Sequence, residues 1–312
     1  MRSSTLSKLT LGTVQLGLPY GVRKKEGLLP LETAFQILGK AAELGVEQLD
    51  CARAYGEAEA RIGAARHAGI LPHSVQVITK LGLAPSFEDS TASEAAVRAD
   101  VLQSIETSCS QLKTESLDCL MLHRWAHRTH RSGVIWECLR ALKKEGRIRR
   151  LGASVQGHEE ALQAVEDPDV EIIQLPFNLL DWRWRESGFI AKRSRRPDLE
   201  IHARSVYLQG ILVSPESAWP RISGVDTHLW VSRLESLVRS LGRMDRADLC
   251  LAYARSQKWI NRLAIGIENV EQLENNSKLF QTPLLTPEEQ NRIEAELSNA
   301  PAELLNPSLW PR

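Results

Sequence analysis

The 312-residue chain lacks net charge, because 39 Lys and Arg balance 39 Asp and Glu. That excludes a chain-wide basic field able to gather nucleic acid or an anionic membrane. Cysteine is scarce as well. The five (Cys51, Cys109, Cys119, Cys138, Cys250) are odd in number, widely spaced and form no Cys-x-x-Cys pair. A disulfide framework and a structural zinc site are both disfavoured, and a reducing cytoplasm fits. No apolar run approaches the roughly 18 residues of a membrane span. Residues 1–8 contain no apolar core of signal-peptide length. Also missing is a Gly-x-Gly-x-x-Gly after the first apolar run, which argues against the doubly wound dinucleotide-binding sheet.

What the chain does have is an even rhythm. Short β-rich runs at 9–14, 46–50, 75–79, 117–122, 149–153, 171–175, 200–205 and 262–265 alternate with helical patterns. Ala34, Phe35, Leu38, Ala41 and Ala42 form one apolar helix face, closed at Gly45. Further helices are expected at 57–67, 93–112, 134–145 and 270–280. Parallel strands need crossover connections, so eight such units imply a parallel sheet. Eight units in about this length favour a closed (β/α)8 barrel. No Gly/Ser-rich linker divides the chain, and the expectation is one α/β barrel domain over 1–312. Its core spans about 8–283, with a long loop at 213–229, an added helix at 286–297 and a Pro-rich tail.

In such a barrel, functional groups sit at the C-terminal ends of strands and in the loops that follow. Strand two ends in Asp50, followed by Ala52-Arg53-Ala54-Tyr55-Gly56. Strand three ends in Thr79-Lys80, strand four runs into His123-Arg124-Trp125, strand five ends in Ser154 and strand six carries Gln174. Taken singly, Asp50 reads as a cap, Tyr55 as a rim aromatic, Lys80 as a surface charge and His123 as a polar plug. Together they form a general acid: an ammonium beside a phenol stabilises the phenolate and lowers its pKa, a carboxylate holds the ammonium, and an imidazole orients a carbonyl oxygen.

The segments Gln48-Leu49-Asp50-Cys51-Ala52-Arg53-Ala54-Tyr55-Gly56, Val77-Ile78-Thr79-Lys80 and Leu117-Asp118-Cys119-Leu120-Met121-Leu122-His123 carry a resemblance to the aldo-keto reductases. Gly146 to Ser154 and Ile173 to Leu180 extend it, so that it covers roughly residues 8–280. The resemblance implies a barrel that binds a nicotinamide cofactor without a Rossmann domain and transfers hydride to an aldehyde or ketone. It implies that Tyr55 is the proton donor, with Lys80 and Asp50 tuning it and His123 orienting the substrate. By the same match Gly12 and Thr13 flank the cofactor, and Ser154 and Gln174 hold the carboxamide. Arg204, Ser205, Tyr207, Gln209 and Gly210 belong to the loop wrapping the pyrophosphate. Gly266, Glu268, Asn269, Gln272, Asn275 and Asn276 lie at the adenosine end.

Three departures stand out. Val155 follows Ser154 where the family usually has Asn, with Gln156 next in line. Arg204 replaces the aromatic that commonly stacks on nicotinamide, though a planar guanidinium also stacks. The 266–272 segment offers carboxylates and no cation for a 2′-phosphate, so NADPH is expected on family grounds, with NADH as the alternative. Trp125 is expected to wall the substrate pocket, and Trp182 and Trp184 either to do so or to pack a helix start. Arg53, Arg124, Arg183 and Arg204 suggest a cationic mouth and an anionic or sugar-like substrate, against the plainer reading of rim arginines paired to carboxylates. The basic run 192–196 is expected to be a solvated face. The favoured function is an NAD(P)H-dependent carbonyl reductase acting on a small molecule, without nucleic-acid or membrane partners. Its competitor is a slow-turnover cofactor sensor like the potassium-channel beta subunits. A barrel hydrolase with paired carboxylates is weaker, since the strand ends supply only one.

Overall fold

A computed structural model describes residues 4–20 and 27–311; residues 1–3 of the opening stretch considered above lie outside them. Eight parallel strands close on themselves in sequence order, forming a (β/α)8 barrel. They are β1 (Leu9–Gly12), β2 (Gln48–Asp50), β3 (Gln76–Lys80), β4 (Leu117–Leu122), β5 (Ile148–Ser154), β6 (Ile172–Pro176), β7 (Glu200–Arg204) and β8 (Arg262–Gly266). Closure comes from β1 pairing with β8, with Gly12 opposite Gly266.

The period-two alternation of a strand sorts side chains between two cores. Leu9, Leu11, Leu49, Val77, Leu120, Leu122, Ile173 and Leu263 are buried against the surrounding helices. Their neighbours one residue along turn inward. There Ile78, Cys119, Met121 and Ile172 form a separate apolar plug. Gly152 makes room for it: a Cβ there would lie 2.7 Å from Ile172 O and 2.9 Å from Met121 Cγ. Below the plug the interior turns polar. Thr10 donates to Gln48 (3.0 Å), and Glu200 joins Arg150 (3.0 Å) to the buried His202 (3.1 Å).

The helices follow local signals. Ser93 Oγ accepts from Ala96 N at the start of Glu94–Leu112, and Thr286 with Glu289 makes a capping box for Pro287–Glu296. The expected strand at 9–14 stops at Gly12, because Thr13 turns away: its amide and hydroxyl both bond Asp50 O, at 3.0 and 2.9 Å. The expected loop at 213–229 contains a short turn at Glu216–Ala218. It gives way to the helix Thr227–Ser240, started by the Asp226 carboxylate accepting from Leu229 N. The basic run is only partly a solvated face. Lys192 pairs with Glu166, while Arg196 clamps Asp198 and the carbonyls of Val165, Asp167 and Val170. Among the described residues no helix is long and apolar enough to cross a membrane.

Candidate active site at the mouth of the barrel

β2 and β3 are adjacent with Asp50 in register with Ile78, so Lys80, two residues further along β3 on the same face, meets Asp50 inside the barrel mouth. Lys80 Nζ lies 2.7 Å from Asp50 Oδ1, 2.8 Å from Cys51 O and 3.5 Å from Tyr55 Oη. Those three contacts use all three ammonium donors. Asp50 Oδ1 also accepts from Gln174 Nε2 at 2.7 Å, tying β2 to β6 across the mouth. Tyr55 reaches the site from the turn after β2 and meets His123 edge to face, with ring centroids 6.2 Å apart. The four residues placed together by sequence are together in space.

Their electrostatics differ in one respect from expectation. Lys80 is fully enclosed, and burial opposes its charge. The Asp50 carboxylate and Tyr55 outweigh that burial, and the lysine pKa is raised. The Tyr55 pKa is raised as well. Loss of water around the phenol is the largest cause, and it exceeds the opposing pull of Lys80 and Arg204. The expected net lowering by Lys80 is therefore corrected: the ammonium offsets burial without overcoming it. His123 is pushed down to about 4, chiefly by burial and then by Lys80, so its imidazole is neutral at pH 7. Its Nδ1 is buried without a partner among the described residues.

From this cluster a cavity of about 840 Å³ runs along the ends of β1, β8 and β7. Asp50, Tyr55, His123, Ser154 and Gln174 line its deep end, with Gly12 and Thr13 beside them. The loop after β7 supplies Arg204, Ser205, Tyr207, Gln209 and Gly210, and the far end has Gly266, Glu268, Gln272, Asn275 and Asn276. The β7 loop is tightly folded, with Ser205 at φ 63° and Gln209 at φ 55°, a region non-glycine residues seldom enter. Tyr207 Oη donates to Asn276 Oδ1 at 2.5 Å, joining that loop to the helix Val270–Leu279. Asn269 does not line the cavity; it caps this helix by accepting from Gln272 N. Gln272 in turn bonds Glu268 through both amide atoms.

Several expectations are corrected. Trp125 does not line the cavity: it is buried, and its indole donates to Gln163 Oε1 at 2.7 Å. Trp184 is buried beside Asp181, and Trp182 donates to Ala300 O, so both pack rather than face the cavity. The cationic mouth largely dissolves into ion pairs. Arg53 joins Glu59, Arg124 joins Glu88 and Arg183 joins Asp181, leaving Arg204.

Sequence reasoning missed Gln15, which lines the cavity and whose buried Oε1 has no partner among the described residues. It lies over the glycine pair, so that a Cβ on Gly266 would come within 2.5 Å of Gln15 Nε2. Its position two residues after Thr13 was the available signal. Asp245, Val213 and Ser214 also line the cavity unforeseen, since the chain returns to the mouth there only through tertiary packing.

A nicotinamide dinucleotide fits this chemistry. The cavity lining draws on the ends of several strands, and two buried amide oxygens on its wall, Gln174 Oε1 and Gln15 Oε1, lack partners among the described residues. An oxygen left unpaired at a wall calls for a ligand donor such as a carboxamide NH2. Gly12 and Gly266 keep the wall low enough for close approach.

Barrel and mouth together define an enzyme-like parallel barrel in which a buried Lys–Asp pair supports a partly buried Tyr and His at the wall of a cavity. The family model for the aldo/keto reductase family matches residues 8–297, and the chain belongs to that family of oxidoreductases, which use nicotinamide cofactors. It is 24% identical over 295 residues to the uncharacterized oxidoreductase YqkF of Bacillus subtilis, covering 91% of this chain and 92% of that one. The holo form of aldo-keto reductase AKR11C1 from Bacillus halodurans superposes with a TM-score of 0.73 at 21% identity, over 94% and 93% of the two chains. A putative aldo-keto reductase from Pseudomonas aeruginosa gives 0.63 at 19%, over 88% and 89%. At such identities the solved structures speak for the fold alone.

Proposed function

We propose that the protein is an NAD(P)H-dependent carbonyl reductase acting on a small aldehyde or ketone. The observation that carries this reading is the Tyr55 hydroxyl, in the cavity lining, 3.5 Å from a fully buried, carboxylate-held Lys80. When bound, the dinucleotide supplies the hydride. The chain supplies the proton. At neutral pH Tyr55 is a protonated phenol and hence a proton reservoir, while Lys80 and Arg204 stabilise the phenolate as it forms. Neutral His123 offers a ring N–H to the same carbonyl oxygen without competing for its proton. Asp50 fixes Lys80, and Gln174 fixes Asp50 while its Oε1, unpartnered among the described residues, would accept from a carboxamide. Glu268, Gln272, Asn275 and Asn276 receive the adenosine end, with NADPH preferred on family grounds and NADH accepted.

Five free cysteines and the balanced charge support a cytoplasmic protein without nucleic-acid or membrane partners. The test is a panel of small aldehydes, ketones and sugars with each reduced dinucleotide, followed by loss of its near-ultraviolet absorbance. Turnover of at least one carbonyl that Tyr55→Phe abolishes is the expected result. Tight dinucleotide binding with no turnover on any panel member would favour the sensor role instead.

A further inference from the structure

Arg204 closes β7 and is the single cation among the described residues lining the cavity. Among the described residues its guanidinium bonds neutral acceptors only: Gln156 Oε1 at 2.8 Å, Val155 O at 3.3 Å and Ser205 Oγ at 3.4 Å. The carboxylates of the lining are placed elsewhere. Asp50 holds Lys80, and that pair adds no net charge; Asp245 caps the helix Arg246–Ser256; Glu268 sits beside Gln272 at the far end. Arg204 nonetheless acts on the reacting groups, since its charge is felt at both Tyr55 and His123.

The hydride donor must come within about 3–3.5 Å of a carbon whose oxygen meets Tyr55 and His123. The nicotinamide ring therefore belongs at this end of the cavity, within range of Arg204. Oxidised and reduced dinucleotides differ there by one unit of charge: the oxidised ring is a cation, and the reduced ring is neutral. Everything else the cavity holds is the same in both. A like charge close by in a half-buried site weakens binding on the order of tenfold to a hundredfold.

We propose that Arg204 makes this cavity select the reduced dinucleotide over the oxidised one, by setting an uncompensated positive charge where the oxidised ring would carry its own. This rests on the cofactor reading above and extends it to the redox state. A protein so built takes up reduced cofactor from a mixed pool and expels the oxidised form after turnover, the behaviour of a reductase rather than an alcohol dehydrogenase.

Equilibrium titration tests it without any substrate, using fluorescence for NADPH and NADH and calorimetry for NADP+ and NAD+. Wild type is expected to bind each reduced form about tenfold or more tighter than its oxidised partner. Arg204→Gln removes the charge and is expected to lower that ratio about tenfold. Gln156→Glu leaves Arg204 in place but gives it a carboxylate at the present 2.8 Å contact, and is expected to lower the ratio similarly. Arg204→Lys keeps the charge and is expected to keep the preference. A ratio that stays within about twofold in both charge-cancelling variants overturns the proposal. Should Arg204→Gln fail to fold, Gln156→Glu decides alone. Failure of wild type to bind either form of either dinucleotide would instead overturn the cofactor reading.

Discussion

At the scale of single residues, Tyr55 and Lys80 play separable parts. The phenolic proton matters only as the alkoxide develops, so Tyr55→Phe is expected to lower turnover about 10²–10⁴-fold while leaving dinucleotide affinity nearly unchanged. Retention of more than about a tenth of wild-type turnover would remove Tyr55 from the proton-donor role. Lys80→Met strands the buried Asp50 carboxylate with Gln174 as its remaining side-chain partner, and is expected to destabilise the fold by about 3–5 kcal/mol in urea titrations. Asp50→Asn in the same chain should recover part of that loss, because the two groups act as a pair; simple additivity would contradict the geometry.

His123 sets the acid behaviour. Its folded-state pKa of about 4 lies below the ordinary histidine value, so between these pH values the unfolded chain binds a proton that the native protein refuses. Its contribution leaves stability unaffected above about pH 6.5 and erodes it as pH falls toward 4, by roughly 1.4 kcal/mol per unit of separation. Burial lowers His127 and His202 too, so the wild-type slope is shared. The difference between wild type and His123→Asn isolates this histidine: denaturation at pH 7.5 and pH 5 should show a smaller acid loss in the variant. An equal loss in both would mean that His123 titrates normally.

At the scale of elements, strand identity and order were legible because apolar runs alternate with helical periods, and β4 was located to the residue. Asp50, Tyr55, Lys80 and His123 were legible for a related reason: strand ends in a parallel barrel converge, so a list of polar strand ends is already a map of the mouth. What stayed hidden depends on contacts distant in sequence. Trp125 follows a strand end like a wall residue, yet a short turn swings its indole onto Gln163. The sign of the Tyr55 shift depended on how much water the completed barrel excludes, which no local pattern records. Gly152 is a clear case of element-level constraint. Nothing in its sequence context marks it, but the barrel plug leaves no space for a methyl group. Gly152→Ala is therefore expected to destabilise by about 1–3 kcal/mol, with an unchanged dependence on urea concentration. A neutral outcome would mean that the Ile78, Cys119, Met121 and Ile172 plug is loosely packed.

At the scale of the whole molecule, the chain has no net charge, but charge is unevenly divided along the cavity. The cation lies at the catalytic end, while the described lining of the adenosine end presents Glu268 with the amides of Gln272, Asn275 and Asn276. A 2′-phosphate is held best by guanidinium or ammonium groups. Arg262, which shares β8 with Gly266, is at the opposite end of the barrel, bonding Ser7 O and Glu47, and does not serve here. Backbone amides at the start of the helix Val270–Leu279 and the side-chain amides offer partial compensation. The balance predicts weak discrimination, with NADPH favoured over NADH by no more than about tenfold. Both dinucleotides should also raise the thermal midpoint by similar amounts, because ligand at about 100 times Kd stabilises the native state by about 2.7 kcal/mol whatever its identity. Fluorescence titrations and melts with each cofactor measure the two effects independently. An NADPH preference above about a thousandfold, some 4 kcal/mol, would require a cation on the phosphate that the described lining of this end lacks, and would overturn the division of charge argued here.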